Sequence, residues 1–323
     1  MKKSTLLLLL FTLCHILSGQ QKESVDILVE EGVHLHDIGD YAGAIKKYDE
    51  ALLLDKYNLF ALAEKAMTLM FIDRSDEAVK LCELAIEKHR GSDLLYMVYV
   101  ICGNGYDNLE NGSRSIEVYD EGLKQFPDFY QLHFNKGVTL LGMDKIDEAL
   151  LCFRQSALLN PNHTGSHNAI GRTFYVANEY LHSLLAFARF FVLEPEGGRA
   201  QENISYVQGI LSENAAMKEL GLDITLDNQE QYRDETEVVR FIRQFEAICS
   251  AINEQKESSS DFFRNYYAPF FLEMQNRGMI NTLGYIVFAS SGNPDIMSWI
   301  RSNEENIVSF YEWAQSYKWI SVF

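Results

Sequence analysis

Small residues recur along this chain every 34 positions: Gly32 and Ala66, Ala44 and Ala78, Ala51 and Ala85. Three registers repeating at one spacing mean a repeat protein, in which no unit can bury its apolar face alone and stacking supplies the core. The registers continue through Gly103, Ser115 and Gly122, then Gly137, Ala149 and Ser156, then Gly171, Ser183 and Phe190. Five units therefore run from Val25 to about Arg199. One slip interrupts them: Ala85 to Gly122 spans 37 residues, and the three extra ones match Gly91-Ser92-Asp93. An insertion in a turn leaves the helices on either side in phase.

The pattern resembles the tetratricopeptide repeat, which implies an all-α solenoid in which each 34-residue unit is a pair of antiparallel helices. With Tyr130 as position 1, the fourth unit has Gly137 at 8, Leu140 at 11, Ala149 at 20, Phe153 at 24, Ser156 at 27 and Pro161 at 32. Those are the family's small, large apolar and proline positions. The units are 25–58, 59–92, 96–129, 130–163 and 164–197, with 199–212 as a capping helix. Pro127 and Pro195 close units three and five in the same way, whereas Lys56 and Arg90 stand at the proline position of units one and two, and Phe190 replaces a small residue at position 27. The physical reason for the small positions is independent of the family. Where two helices cross closely, a side chain larger than Ala holds the backbones apart. The residues at position 24 are Tyr48, Cys82, Tyr119, Phe153 and Phe187, and the rings among them are expected to fill the gap to the next hairpin.

Residues 1–19 read as a signal peptide rather than part of the fold: Lys2 and Lys3, an apolar run from Leu6 to Leu17, then Ser18-Gly19-Gln20. Cleavage is expected near Gly19-Gln20, and the style of the segment points to export into a bacterial periplasm or envelope. No later segment is apolar enough to cross a membrane. The formal charge of −18 becomes −20 when Lys2 and Lys3 are removed. Such a chain repels phosphates, which disfavours nucleic acid and anionic lipid and favours basic peptides. Cys82, Cys102, Cys152 and Cys249 have no CxxC pairing or metal-ligand spacing and read as small buried residues.

Beyond a connecting segment at 213–235, in which Leu222 to Leu226 permits a short strand, helical periodicity resumes at Thr236 and defines a C-terminal domain over 236–323. Ser260 or Asp261 is placed to cap a helix bearing Phe262, Phe263, Tyr266, Tyr267, Phe270 and Phe271, and Pro269 is expected to bend or break it. Trp299, Trp313 and Trp319 all lie here, enough aromatic mass for a separate small helical core.

Catalytic motifs are missing: no HExxH, GxSxG or GxxxxGK occurs. His163 and His167 have a zinc-compatible spacing, but His163 precedes its predicted helix and no third ligand is near, so no cofactor or metal is expected. His34 and His36 are assigned to a solvated surface. The resemblance implies a groove lined by positions 2, 5, 9, 12 and 13 of each first helix. The partner-binding candidates there are Phe60, Met67, Met70, Phe71, Asn104, Asp107, Phe134, Asn168, Arg172 and Tyr175. The lysine, arginine and asparagine set with which family members hold a C-terminal carboxylate does not occur. The sequence thus points to a non-enzymatic scaffold that binds a peptide or helix of a partner protein. The alternative is an enzyme whose site lies near Arg264, Tyr266, Tyr267 and Glu273.

Overall fold

Each helical hairpin of this chain is set by how its first helix stops. In the computed structural model, which describes residues 22–222, 235–254 and 262–319, a residue in the left-handed region ends the first helix of every repeat: Gly39 (φ 83°), Asp73 (57°), Glu110 (56°), Asp144 (60°) and Asn178 (59°). All five stand at repeat position 15. The conformation lets two backbone N–H groups turn back onto the last carbonyls, as where Asp73 N donates to Met70 O at 3.2 Å and Arg74 N to Leu69 O at 2.9 Å. For an L residue it costs about 1–2 kcal/mol, repaid by satisfying carbonyls that would otherwise be orphaned. The side chains of Asp40, Asn58 and Asn111 then cap the following helices by accepting from Gly43 N, Ala61 N and Arg114 N.

The chain divides at 149/150 into two compact units. The first holds α1 (22–37), α2 (Tyr41–Leu54), α3 (Leu59–Phe71), α4 (Ser75–Lys88), α5 (Leu95–Asn108), α6 (Gly112–Gln125) and α7 (Tyr130–Gly142), and α8 (Ile146–Leu159) crosses the division. The helices start within a residue of the sequence-derived unit boundaries at 59, 96 and 130, and the three inserted residues lie in the α4–α5 turn. Asp76 and Glu77 occupy the first turn of α4, where the helix dipole favours them.

The position-24 rings face both ways: as expected they reach the next element, Phe187 stacking on Tyr206 of the capping helix at 5.6 Å and Tyr48 facing Thr68 of the next hairpin. They also lie on the position-8 glycine of their own hairpin. A Cβ added to Gly32 would sit 2.4 Å from Tyr48 Cε1, and one added to Gly103 would sit 2.2 Å from Tyr119 Cε1. The second hairpin has Ala66 at position 8, and there position 24 is Cys82, both fully buried. A methyl on one helix is matched by the loss of a ring on the other. Position 27 also packs between hairpins: a Cβ on Gly122 would meet Tyr99 Cβ at 2.9 Å and Leu132 Cδ1, of the next hairpin, at 3.1 Å. Outward-facing ion pairs repeat as well, Lys65 to Asp49 at 2.5 Å and Lys136 to Asp120 at 2.6 Å.

The second unit contains α9 (Thr164–Val176), α10 (Tyr180–Leu193), α11 (Gly198–Ser212), α12 (Ala215–Glu219), α13 (Glu237–Glu254), α14 (Phe262–Asn276), α15 (Ile280–Val287), a 3₁₀ turn (Ala289–Ser291), α16 (Pro294–Ser302) and α17 (Glu304–Ser316). Gly171 is covered by the Phe187 ring, 2.8 Å from an added Cβ, and Ser183 Oγ donates to Gly171 O at 2.8 Å. The α14 helix is continuous through Pro269 rather than broken by it. Its rings meet the last hairpin: Phe263 is edge-on to Phe174 at 5.0 Å, and the Tyr266 hydroxyl donates to Ala157 O at 2.8 Å. The division at 149/150 therefore differs from the boundary expected at 213–235, because the aromatic helix packs on α10. Among the described residues every regular element is helical. The expected signal peptide, the extended segment after Leu222 and the cap at Ser260 or Asp261 lie outside the described residues.

Two arginines are enclosed in this aromatic interior. Arg154 lies over Phe174, Phe262 and Phe263, 5.3–5.5 Å from the ring centres. Arg189 lies over Phe270 and Trp319 at 5.0 and 4.7 Å and donates to Pro161 O and Asn162 Oδ1. Burial lowers the Arg189 guanidinium to about 10, the nearby Tyr266 and Tyr267 opposing the fall.

Candidate functional site

In the first unit the first helices α1, α3, α5 and α7 follow one another, and repeat positions 2, 5, 9, 12 and 13 place one residue set on one wall. Phe60 and Phe71 are exposed there, and so are Val138 and Leu141 on α7, while Met67, Met70 and Phe134 are half-buried. A cleft of about 330 Å³ opens between α3 and α5, lined by Met70, Phe71, Asn104, Asp107 and Asn108. Two of the polar lining groups are held in place: Asn104 Oδ1 accepts from the Tyr119 hydroxyl at 2.6 Å, and Asn108 Nδ2 donates to Ser75 Oγ at 3.4 Å.

One side of Phe71 is supported from within the chain. The His36 ring meets it edge-on at 4.8 Å and Tyr41 lies 5.8 Å away. Thr68 Oγ1 spends its proton on Glu64 O at 2.9 Å, so His36 Nδ1–H donates to Thr68 Oγ1 at 2.8 Å. His36 is thus half-buried in the wall, not part of the solvated surface assigned from sequence. Glu64 and Thr68 belong to the same cluster and were not among the sequence candidates. Their signal was an acid and a threonine within the otherwise apolar helix Leu59–Phe71. Burial raises the Glu64 carboxyl above the usual range, with His36 opposing and Asp37 adding to the rise.

In the second unit the candidates Asn168, Arg172 and Tyr175 are engaged by the capping helix α11. Asn203 Nδ2 donates to Asn168 Oδ1 at 2.8 Å, Arg172 Nη1 pairs with Glu202 at 3.2 Å, and Tyr206 meets Tyr175 edge-on at 4.7 Å. Among the wall residues these three are internal ties.

The other sequence candidates separate. His167 is buried with both nitrogens used: Nε2 donates to Pro161 O at 3.0 Å and Nδ1 accepts from the Tyr267 hydroxyl at 2.7 Å. His163 bonds Ser166 Oγ at 2.8 Å. The four polar residues of the enzymatic alternative do not converge. Tyr266 and Tyr267 point into the core, while Glu273 accepts from Trp313 Nε1 at 3.1 Å and pairs with Arg277 at 2.8 Å. Arg264 lines a small cleft with Leu181, His182 and Phe263. Cys82 and Cys102 are neighbours, the Cys82 thiol raised by its hydrogen bond to Cys102 and by burial, and none of the four described cysteines is in a disulfide. No described helix is long and apolar enough to cross a membrane.

A tetratricopeptide-repeat family model matches residues 130–163, the unit in which every small position and the closing Pro161 are present. That unit is a tetratricopeptide repeat. The chain is 22% identical over 190 residues to human protein O-mannosyl-transferase TMTC1. That alignment takes in 58% of this chain and 21% of the relative, so the chain spans about a fifth of the length of the curated protein it matches. Among solved structures, PilF of Pseudomonas aeruginosa aligns with a TM-score of 0.53 at 16% identity, covering 67% of this chain and 95% of that one. PilW, described as a widely conserved type IV pilus biogenesis factor, aligns with a TM-score of 0.51 at 16% identity, covering 65% and 94%. At such identities the tetratricopeptide-repeat hairpin fold is what the chains share.

Proposed function

We propose that this chain is a non-enzymatic scaffold of a bacterial cell envelope that holds a peptide or helix of a partner protein against the wall formed by α1, α3, α5 and α7. The observation that carries the reading is the row of exposed apolar side chains, Phe60, Phe71, Val138 and Leu141, beside the cleft between α3 and α5. Apolar surface in that arrangement is what a helix-in-groove or extended-peptide mode uses, and the thioethers of Met67 and Met70 let it adapt to different side chains. The envelope location rests on the signal-like residues 1–19, and the fold shared with a pilus biogenesis factor is compatible with it.

The test places a photo-crosslinking side chain at Phe71 in the full chain, in cells, with the exposed Lys80 on α4 as the control position. Position 71 is expected to give a discrete adduct and position 80 none, and the adduct's mature N-terminus is expected near Gln20. Equal labelling at both positions removes the wall as the contact surface. A retained Met1 removes the envelope location.

A further inference from the structure

Resting on the wall reading above, we infer that the partner segment is cationic: it presents a lysine or arginine next to a large apolar side chain, and the cleft between α3 and α5 receives the basic side chain. The lining chemistry carries this. None of Met70, Phe71, Asn104, Asp107 and Asn108 is basic, so a carboxylate or phosphate entering the cleft would meet Asp107 with no counter-charge. A long basic side chain meets what it needs. Its methylene stem lies along the thioether of Met70 and the Phe71 ring, which is 61% exposed. Its charged head reaches the Asp107 carboxylate and the face of the same ring.

The ion pairs of the first unit point the same way. On the other face of the first helices the chain neutralises three carboxylates itself, Glu31 by Lys47 at 2.6 Å, Asp49 by Lys65 at 2.5 Å and Asp120 by Lys136 at 2.6 Å. The wall carboxylates Asp37, Glu64 and Asp107 form no ion pair with a described lysine or arginine. Asp37 and Glu64 lie on the His36 side of Phe71 and Asp107 on the cleft side, so negative charge flanks the exposed ring. Charge left uncompensated around an apolar centre steers and selects an oppositely charged partner.

Fluorescence anisotropy on the full chain decides the matter with three labelled hexapeptides: acetyl-Gly-Lys-Leu-Lys-Leu-Gly amide, and the same peptide with Glu or with Gln in place of Lys. The Lys probe is expected to bind at least about tenfold more tightly than the Glu probe, and to weaken several-fold between about 50 and about 300 mM salt. Asp107→Asn is expected to reduce the Lys-over-Gln preference about fivefold, with Asp107→Glu restoring it, and Phe71→Ala to weaken Lys and Gln probes alike. An unchanged thermal melt for Asp107→Asn keeps that result free of a folding effect. Equal binding of Lys and Gln probes overturns the inference and leaves the wall reading standing. Binding of no probe also overturns it, and the photo-crosslink at position 71 then decides the wall reading by itself.

Discussion

One methyl group added at Gly103 is expected to destabilise the first unit by about 1–2 kcal/mol, whereas the same methyl added after Tyr119 has been replaced by Cys is expected to be neutral or stabilising. Gly103→Ala improves helix propensity by up to about 1 kcal/mol. Against this, the new Cβ would lie 2.2 Å from Tyr119 Cε1, a distance at which something must move. The ring has no room to retreat: it is buried, and its hydroxyl is tied to Asn104 Oδ1 at 2.6 Å. Overpacking of this kind costs about 1–3 kcal/mol and outweighs the propensity gain. Tyr119→Cys alone leaves a cavity and costs about 3–5 kcal/mol, as large-to-small core changes do. In that background Gly103→Ala fills space and recreates the Ala66 and Cys82 pairing that the second hairpin already uses. The four proteins form a double-mutant cycle read by chemical denaturation followed by circular dichroism. If Gly103→Ala has the same sign in both backgrounds, the ring and the glycine are not the packing pair described.

The second large effect concerns acid. His167 is buried, neutral and fully hydrogen bonded, and burial, aided by the charge of Arg189, lowers it to about 3 against the ordinary value of 6.5, the bond to Pro161 O pulling the other way. In the unfolded chain it takes up a proton near pH 6.5. Between pH 6.5 and about 3 the unfolded state therefore binds the extra proton, so this residue's contribution is complete above pH 6.5 and is lost as pH falls. The slope is about 1.4 kcal/mol per pH unit, or about 2–3 kcal/mol between pH 6.5 and 4.5. The comparison to make is with His167→Gln, which does not titrate. The variant is expected to be the less stable at pH 7, and the gap is expected to close by about 2–3 kcal/mol by pH 4.5. Tryptophan fluorescence isolates the relevant unit, since Trp299, Trp313 and Trp319 all lie in it. A gap independent of pH would mean that His167 is hydrated or charged in the native protein.

Sequence carried the register of the hairpins almost entirely, because small positions 8, 20 and 27 reflect close approach that every unit must satisfy. The unit starts at 59 and 130 are the first residues of α3 and α7. The turns were less legible. Only Gly39 among the five left-handed residues is a glycine, and Asp73, Glu110 and Asp144 carry no local mark because the hairpin, not the side chain, imposes the conformation. Spacing also identified the position-24 rings and their reach to the next element, but not that the same rings cover the glycine of their own hairpin. Of the wall, the apolar members followed from repeat position, but the electrostatics did not. Asp120 and Asp107 look alike in sequence, and only the packed helices bring Lys136 to the first and leave the second without a cation among the described residues. The engagement of Arg172 and Tyr175 by α11 is likewise a matter of which helix follows the last hairpin, information that lies outside the repeat itself.

The pairing of a position-8 glycine with a ring on its own hairpin has a consequence for how such a chain is inherited. Gly32 with Tyr48 and Gly103 with Tyr119 each lie within one 34-residue segment, and so do Ala66 and Cys82. A recombination event that copies or deletes one whole segment moves both halves of the fit together and asks nothing new of the neighbours at that contact. An event displaced by half a segment joins the gap of one hairpin to the filler of another, and a glycine–tyrosine hairpin crossed with an alanine–cysteine one then yields one overfilled and one hollow product. Lineages of this protein are therefore expected to gain and lose hairpins in whole segments, with crossovers falling in the turns between hairpins.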